Sequence, residues 1–91
     1  MTSYIVYSRN DEKKITTTLE SVLDRLKEDD QLIIFDNHST DQSVPLIIQT
    51  IGIRFKDEER FKFYIMMKKE PRKNVINKAK SIAKYETLVI N

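Results

Sequence analysis

The 91-residue chain has no cysteine, one histidine and one glycine. Without cysteine there is no disulfide framework and no thiolate metal site. A single imidazole, His38, leaves little room for a histidine zinc centre or a Ser-His-Asp triad. A lone Gly52 excludes the glycine-rich loops of dinucleotide-binding and Walker motifs, which need several glycines so that backbone can approach phosphate. Long apolar runs are missing too; stretches such as Leu32–Phe35 fall far short of the ~20 residues of a membrane span. The Met1-Thr2-Ser3-Tyr4 start carries neither a basic region nor an apolar signal core, so a cytoplasmic location is expected.

What is present fits one small folded domain. Hydrophobic residues make up 40% of the chain and charged residues 33%, a globular balance. Charge is unevenly placed. Through Arg60, eight basic residues face twelve acidic ones; from Phe61 onward, eight basic residues face only Glu70 and Glu86. A basic C-terminal third can meet phosphates, or it can be a solvated helix face.

Ser3–Ser8 is rich in β-branched and aromatic residues and predicts a buried strand. Ile15, Leu19, Val22, Leu23 and Leu26 repeat at helical spacing and predict a helix near Glu12–Lys27, capped by Asn10 or Asp11. The acids Glu28, Asp29 and Asp30 close it, with fraying or a turn expected because acids oppose the dipole there. Gln31–Asp36 is a continuous apolar run ending in an acid, the pattern of a strand covered on both faces. A helix over Val44–Ile51 follows, with Pro45 in its first turn and Gly52 ending it. Ile53–Arg60 reads as a charged connection, Phe61–Met67 as a third strand, Asn74–Lys84 as a third helix and Glu86–Asn91 as a fourth strand.

The order β-α-β-α-β-α-β predicts an α/β fold: an open, three-layer, Rossmann-like parallel sheet with flanking helices. Ligands of such sheets bind outside the carboxyl ends of the strands. The loops there offer Ser8, Arg9 and Asn10; then Asp36, Asn37, Ser39 and Asp41; then Lys68, Lys69, Arg72 and Lys73. Carboxylate, amide and hydroxyl groups beside cations suit a ligand with a polar ring and a phosphate tail. Asp36 has two readings on the residues alone: a nucleoside ligand, or a loop cap through the Ser39 or Thr40 amides. Asp41 is placed to serve the start of the second helix.

Three segments carry a family resemblance. Tyr4-Ile5-Val6-Tyr7-Ser8-Arg9-Asn10, then Leu19-Glu20-Ser21-Val22-Leu23, then Ile33-Ile34-Phe35-Asp36-Asn37-His38-Ser39-Thr40-Asp41 resemble the start of family two glycosyltransferases of the GT-A fold. Those read V-I-P-T-Y-N, L-x-S-[LV]-L and I-[IV]-V-D-[DN]-G-S-T-D. Asn77-Lys78-Ala79 and Ala83-Lys84-Tyr85-Glu86 are more loosely similar to A-R-N-x-G and A-x-G-E-Y. The chain departs at Tyr7-Ser8-Arg9, at Ala79, and at His38, where the family has glycine in a turn that calls for positive φ.

The resemblance implies the donor-binding N-terminal region, residues 1–91, of an enzyme that transfers a sugar from a nucleotide-diphosphate sugar, such as a UDP-sugar, to a glycan or other acceptor. It implies a sheet order 3-2-1-4 and nucleotide contacts at Tyr7, Ser8, Arg9, Asn10, Asp36 and Asn37; Arg72 joins them, at the diphosphate, on its charge and position alone, and no nucleic-acid partner is expected. In the full-length enzyme Mn²⁺ or Mg²⁺ bridges the diphosphate, and association with the membrane is peripheral. Asn91 stands where the acidic metal motif begins, so this chain alone is expected to hold no metal and to be inactive. A sheet ending there predicts a bare edge and a homodimer that covers it. The alternative reading is a small α/β binding module whose basic C-terminal third contacts RNA or an acidic partner. Against it stand the acidic first two-thirds and the absence of interleaved aromatic and basic residues.

Overall fold

The computed structural model describes residues 1–86 and 88–90. The elements run β1 (Ser3–Ser8), α1 (Ile15–Arg25), β2 (Gln31–Asp36), α2 (Ser43–Ile51), a 3-10 turn (Gly52–Lys56), β3 (Phe61–Ile65), α3 (Arg72–Ile82) and β4 (Leu88–Ile90). The four strands form one sheet in the order β3-β2-β1-β4, with every neighbouring pair parallel. This is the order and direction the sequence predicts. No described helix is long and apolar enough to cross a membrane.

Strand periodicity divides the core in two. Tyr4, Val6, Leu32 and Ile34 point to one face, where Ile15, Leu19 and Val22 of α1 and Ile47 and Ile51 of α2 cover them. Ile5, Ile33 and Phe35 point to the other, against Val75, Ile76 and Ala79 of α3. Both faces of β1 and β2 are therefore apolar, which explains their unbroken runs. Each such side chain contributes roughly 1.5–3 kcal/mol on burial.

Several boundaries differ from the sequence expectation, each for a local reason. The α1 helix begins at Ile15 rather than Glu12, because Asp11 to Lys14 form a turn in which the Asp11 carbonyl accepts both Lys14 N–H (2.9 Å) and Ile15 N–H (2.8 Å). Neither Asn10 nor Asp11 caps it by a side chain. It ends at Arg25, whose charge suits the dipole, before the acids are reached. Asp30 instead ties the chain start to the turn before β2, its carboxylate accepting Lys27 N–H and Thr2 N–H, both at 2.9 Å.

The α2 helix ends at Gly52, whose φ of +56° is a conformation that strains other residues, although no atom crowds the position. The following connection is not plain loop, since its 3-10 turn stacks Phe55 on Phe63 with ring centroids 5.8 Å apart. The β3 strand stops at Ile65, two residues early, and Met67 is exposed. The α3 helix starts two residues early, at Arg72, because Pro71 precedes the helix with its preferred φ and its carbonyl accepts Asn74 N–H at 3.0 Å.

Candidate functional site

The carboxyl ends of β1, β2 and β3 gather three loops, and side chains rather than backbone ladders hold them together. Asp36 ends β2 with a fully buried carboxylate. One oxygen accepts the Ser39 N–H (2.9 Å) and the other the Ser39 hydroxyl (2.7 Å). This is the loop-capping arrangement that the three-residue spacing of Asp36 and Ser39 makes available. His38 lies inside that turn with φ +56°. The positive φ expected at the family's glycine position is therefore present, carried here by an exposed histidine whose Nδ1 lies 3.3 Å from the Met66 carbonyl.

Arg9 and Asn10 bind the same loop from β1. The Arg9 guanidinium donates to the Asn37 carbonyl (3.4 Å) and to the His38 carbonyl. Asn10, itself at φ +47°, accepts Thr40 N–H on Oδ1 at 2.7 Å, and its own N–H donates to the Ser39 hydroxyl at 2.9 Å. These two residues, expected at a ligand, face the polypeptide. Ser8 lies directly opposite Asp36 in the sheet register and is fully buried, with an unpartnered hydroxyl.

Asp41 serves the start of α2, as its position suggests. Its carboxylate accepts Ser43 N–H (2.9 Å) and Glu12 N–H (3.1 Å). Desolvation works to raise this carboxyl, but hydrogen bonds from the Ser43 hydroxyl and from the Ser43 and Glu12 amides outweigh it and hold it below the ordinary carboxylate range. Glu12 carries structure that the sequence pattern did not single out, accepting Gln42 N–H at 3.2 Å, and the hydroxyl of Ser43, the first residue of α2, accepts Asp11 N–H at 2.8 Å. For Ser43 the available signal was a hydroxyl just ahead of an apolar helical repeat.

The third loop comes in through Asn37. This buried amide donates to the Tyr7 hydroxyl (2.9 Å) and the Glu70 carbonyl (2.6 Å), and accepts Glu70 N–H (3.0 Å). Arg72, two residues on, then lies over the Tyr7 ring, 5.1 Å from its centroid. Tyr7, Asn37 and Arg72, named separately from sequence, thus form one contiguous group. The half-buried Tyr7 ring and the exposed Arg72 guanidinium are its accessible parts. Lys68, Lys69 and Lys73 are exposed beside it, while Glu70 is paired with Lys78 at 3.2 Å. A cleft of about 400 Å³ between Met66, Met67, Lys68 and Glu70 borders the group. A larger one of about 650 Å³ lies between α1 and α2, lined by residues such as Leu23 and Leu46 and by none of these side chains.

Among the described residues no three His, Asp or Glu side chains gather into a group able to hold a metal ion. Asn91, expected at the edge of a metal motif, lies outside the described residues.

The family model for glycosyl transferase family 2 matches residues 3–90. No curated protein matches the sequence significantly. Among solved structures, a mannosyltransferase from Pyrobaculum calidifontis, in complex with GDP-Man and Mn²⁺, superposes with a TM-score of 0.79 at 16% identity. The match covers 96% of this chain and 25% of that one, so the chain spans a quarter of the length of the enzyme it resembles.

Proposed function

The chain belongs to glycosyl transferase family 2, and from that premise we propose that it forms the donor-binding N-terminal region of a glycosyltransferase that moves sugar from a nucleotide-diphosphate sugar to an acceptor. The carrying observation is the convergence of Tyr7, Asn37 and Arg72 at the carboxyl ends of β1 and β2 and the start of α3. An aromatic face beside a guanidinium suits a nucleobase followed by a diphosphate. The positive end of the α3 dipole adds to the attraction.

In this reading Tyr7 and Arg72 touch the donor, with Lys73 beside them. Asn37 positions the Arg72-bearing loop, and Asp36, Arg9 and Asn10 fix the β2 loop that forms the floor. Divalent metal, the Mn²⁺ of the mannosyltransferase or Mg²⁺, belongs to the full-length enzyme and supplies charge neutralisation at the diphosphate. Among the described residues, Arg72 and Lys73 are the cations placed to meet the phosphate charge.

The test is an NMR titration with UDP and with GDP, using pyrophosphate as the control. Amide shifts are expected at Tyr7 to Asn10, at Asn37 and at Arg72, larger with nucleotide than with pyrophosphate. Shifts confined to Lys68 and Lys69, equal for all three anions or stronger with RNA, would replace this reading by that of a basic binding module.

A further inference from the structure

The loops at the carboxyl ends of β1 and β2 spend their best hydrogen-bond acceptors on the polypeptide, and this limits which part of a base they can read. The Asp36 carboxylate is fully buried, one oxygen on the Ser39 N–H and the other on the Ser39 hydroxyl. Asn37, also fully buried, has its side-chain oxygen on the Glu70 N–H and its amide hydrogens on the Tyr7 hydroxyl and the Glu70 carbonyl. Asn10 Oδ1 takes the Thr40 N–H at 2.7 Å and the Thr40 hydroxyl at 3.3 Å. The Asn37 and His38 carbonyls are taken by Arg9.

What still faces outward around Tyr7 is of the opposite kind. Arg72 and Lys73 are exposed, and guanidinium and ammonium groups only donate. The Tyr7 hydroxyl already accepts from Asn37, so its own proton is what it has left to offer. Asn10, exposed, keeps its amide hydrogens, again donors.

Such groups do not tell one base from another. Uracil, cytosine, guanine and adenine all carry acceptors, and a donor on a long exposed side chain swings to whichever is presented. The bases differ at the ring nitrogen of the pairing edge: uracil N3 and guanine N1 carry hydrogen, whereas cytosine N3 and adenine N1 do not. Reading that difference takes a fixed group held against the edge. A site built that way rejects the wrong base by orders of magnitude, because a buried polar group would go unpaired. Flat faces, in contrast, are common to all bases, and the Tyr7 ring with the Arg72 guanidinium 5.1 Å from its centroid offers a flat partner. Ser8, also on this sheet edge, has an unpartnered hydroxyl but is fully buried.

We propose that this site is indifferent to the base: it takes nucleoside diphosphates as a class, holding the diphosphate by charge and any base by its face. The inference rests on the donor-binding reading above and goes beyond it, since it denies Asp36 the part of a uracil reader.

NMR titration of the chain with UDP, CDP, GDP and ADP tests it, with pyrophosphate as the reference. The nucleotides form two pairs matched in ring size, and within each pair the edge pattern is reversed. UDP and CDP are expected to agree within about threefold, and so are GDP and ADP, with the purines bound somewhat more tightly through their larger faces. All four are expected to bind roughly tenfold more tightly than pyrophosphate. Arg72→Lys keeps the charge and loses the plane, so it is expected to narrow that margin and leave the agreement within each pair intact. A difference of about tenfold or more within either pair, with amide shifts still at Tyr7 and Arg72, overturns base indifference while the donor reading stands. Its disappearance in Ser8→Ala would then identify the group that reads the edge. Nucleotides bound no more tightly than pyrophosphate overturn both.

Discussion

Asn37 and Glu70 are joined like residues in a strand ladder, the Asn37 side chain donating to the Glu70 carbonyl at 2.6 Å and accepting its N–H at 3.0 Å. A side-chain amide thus stands in for a backbone peptide. It extends the order of β2 into the loop before α3, and it sets Arg72 over Tyr7.

Removing that amide is expected to affect both stability and ligand binding. Asn37→Ala leaves the Glu70 N–H and carbonyl without these partners in a part-buried place. The expected loss is about 2 kcal/mol, or ~10 °C in Tm for a domain of this size. Asn37→Asp can still accept the N–H but sets a carboxylate against the Glu70 carbonyl, so it is expected to rescue little. Thermal melts of both variants check this; an unchanged Tm in Asn37→Ala would remove the ladder role.

His38 holds φ +56° at the turn position where the family resemblance implies glycine. His38→Gly is expected to change stability by less than about 0.5 kcal/mol, because relief of strain offsets the added freedom of the unfolded chain. His38→Val places a β-branched residue in a conformation it strongly disfavours and is expected to cost about 1–2 kcal/mol. Urea midpoints of the two variants, measured together, separate backbone strain from loss of the Met66 contact, which both variants lack.

Acid is expected to destabilise the fold through Asp30 and Asp41. Desolvation tends to raise Asp30, but the Lys27 and Thr2 N–H bonds, with the nearby N-terminal and Lys27 charges, bring it below the usual range; Asp41 is lowered likewise. In the unfolded chain both ionise near the reference value of ~3.9. Their stabilisation is therefore fully present above that pH and lost as pH falls through the lower folded values. Stability curves from pH 7 to pH 2 are expected to drop at the acid end, and Asp30→Asn is expected to flatten that drop. An identical acid limb in wild type and variant would show that Asp30 contributes nothing to it.

The regular parts of this fold were legible because burial imposes a period. Ser3–Ser8 and Gln31–Asp36 occupy the predicted strands to the residue, since both faces are covered and the apolar runs end where cover ends. The parallel order β3-β2-β1-β4 followed from element order and family resemblance. The loops have no period. Nothing in the spacing of Arg9 and Asn10 told that their polar groups would bind the His38 and Thr40 backbone. The Asp36–Ser39 offset did contain its own capping geometry, whereas the Asn37–Glu70 pair spans 33 residues and appears only once the strands are assembled.

Arg72 offers the sharpest test of the donor reading, because its side chain is exposed and its partner is a ring rather than a fixed acceptor. Arg72→Ala removes a charge and a planar group from the surface, so folding is expected to be unchanged within about 0.5 kcal/mol. Affinity for UDP or GDP is expected to fall about tenfold, the scale of one charge-assisted contact. Arg72→Lys keeps the charge but loses the flat guanidinium that lies over Tyr7, and an intermediate loss is expected. Tyr7→Phe keeps the ring under Arg72 and removes the oxygen that accepts from Asn37, so its cost is expected in stability more than in affinity. The ordering Ala below Lys below wild type, with Tyr7→Phe near wild type in binding, assigns charge and stacking to Arg72 separately. Equal affinity in all four proteins would place the nucleotide elsewhere on the strand ends, whatever the family of the chain.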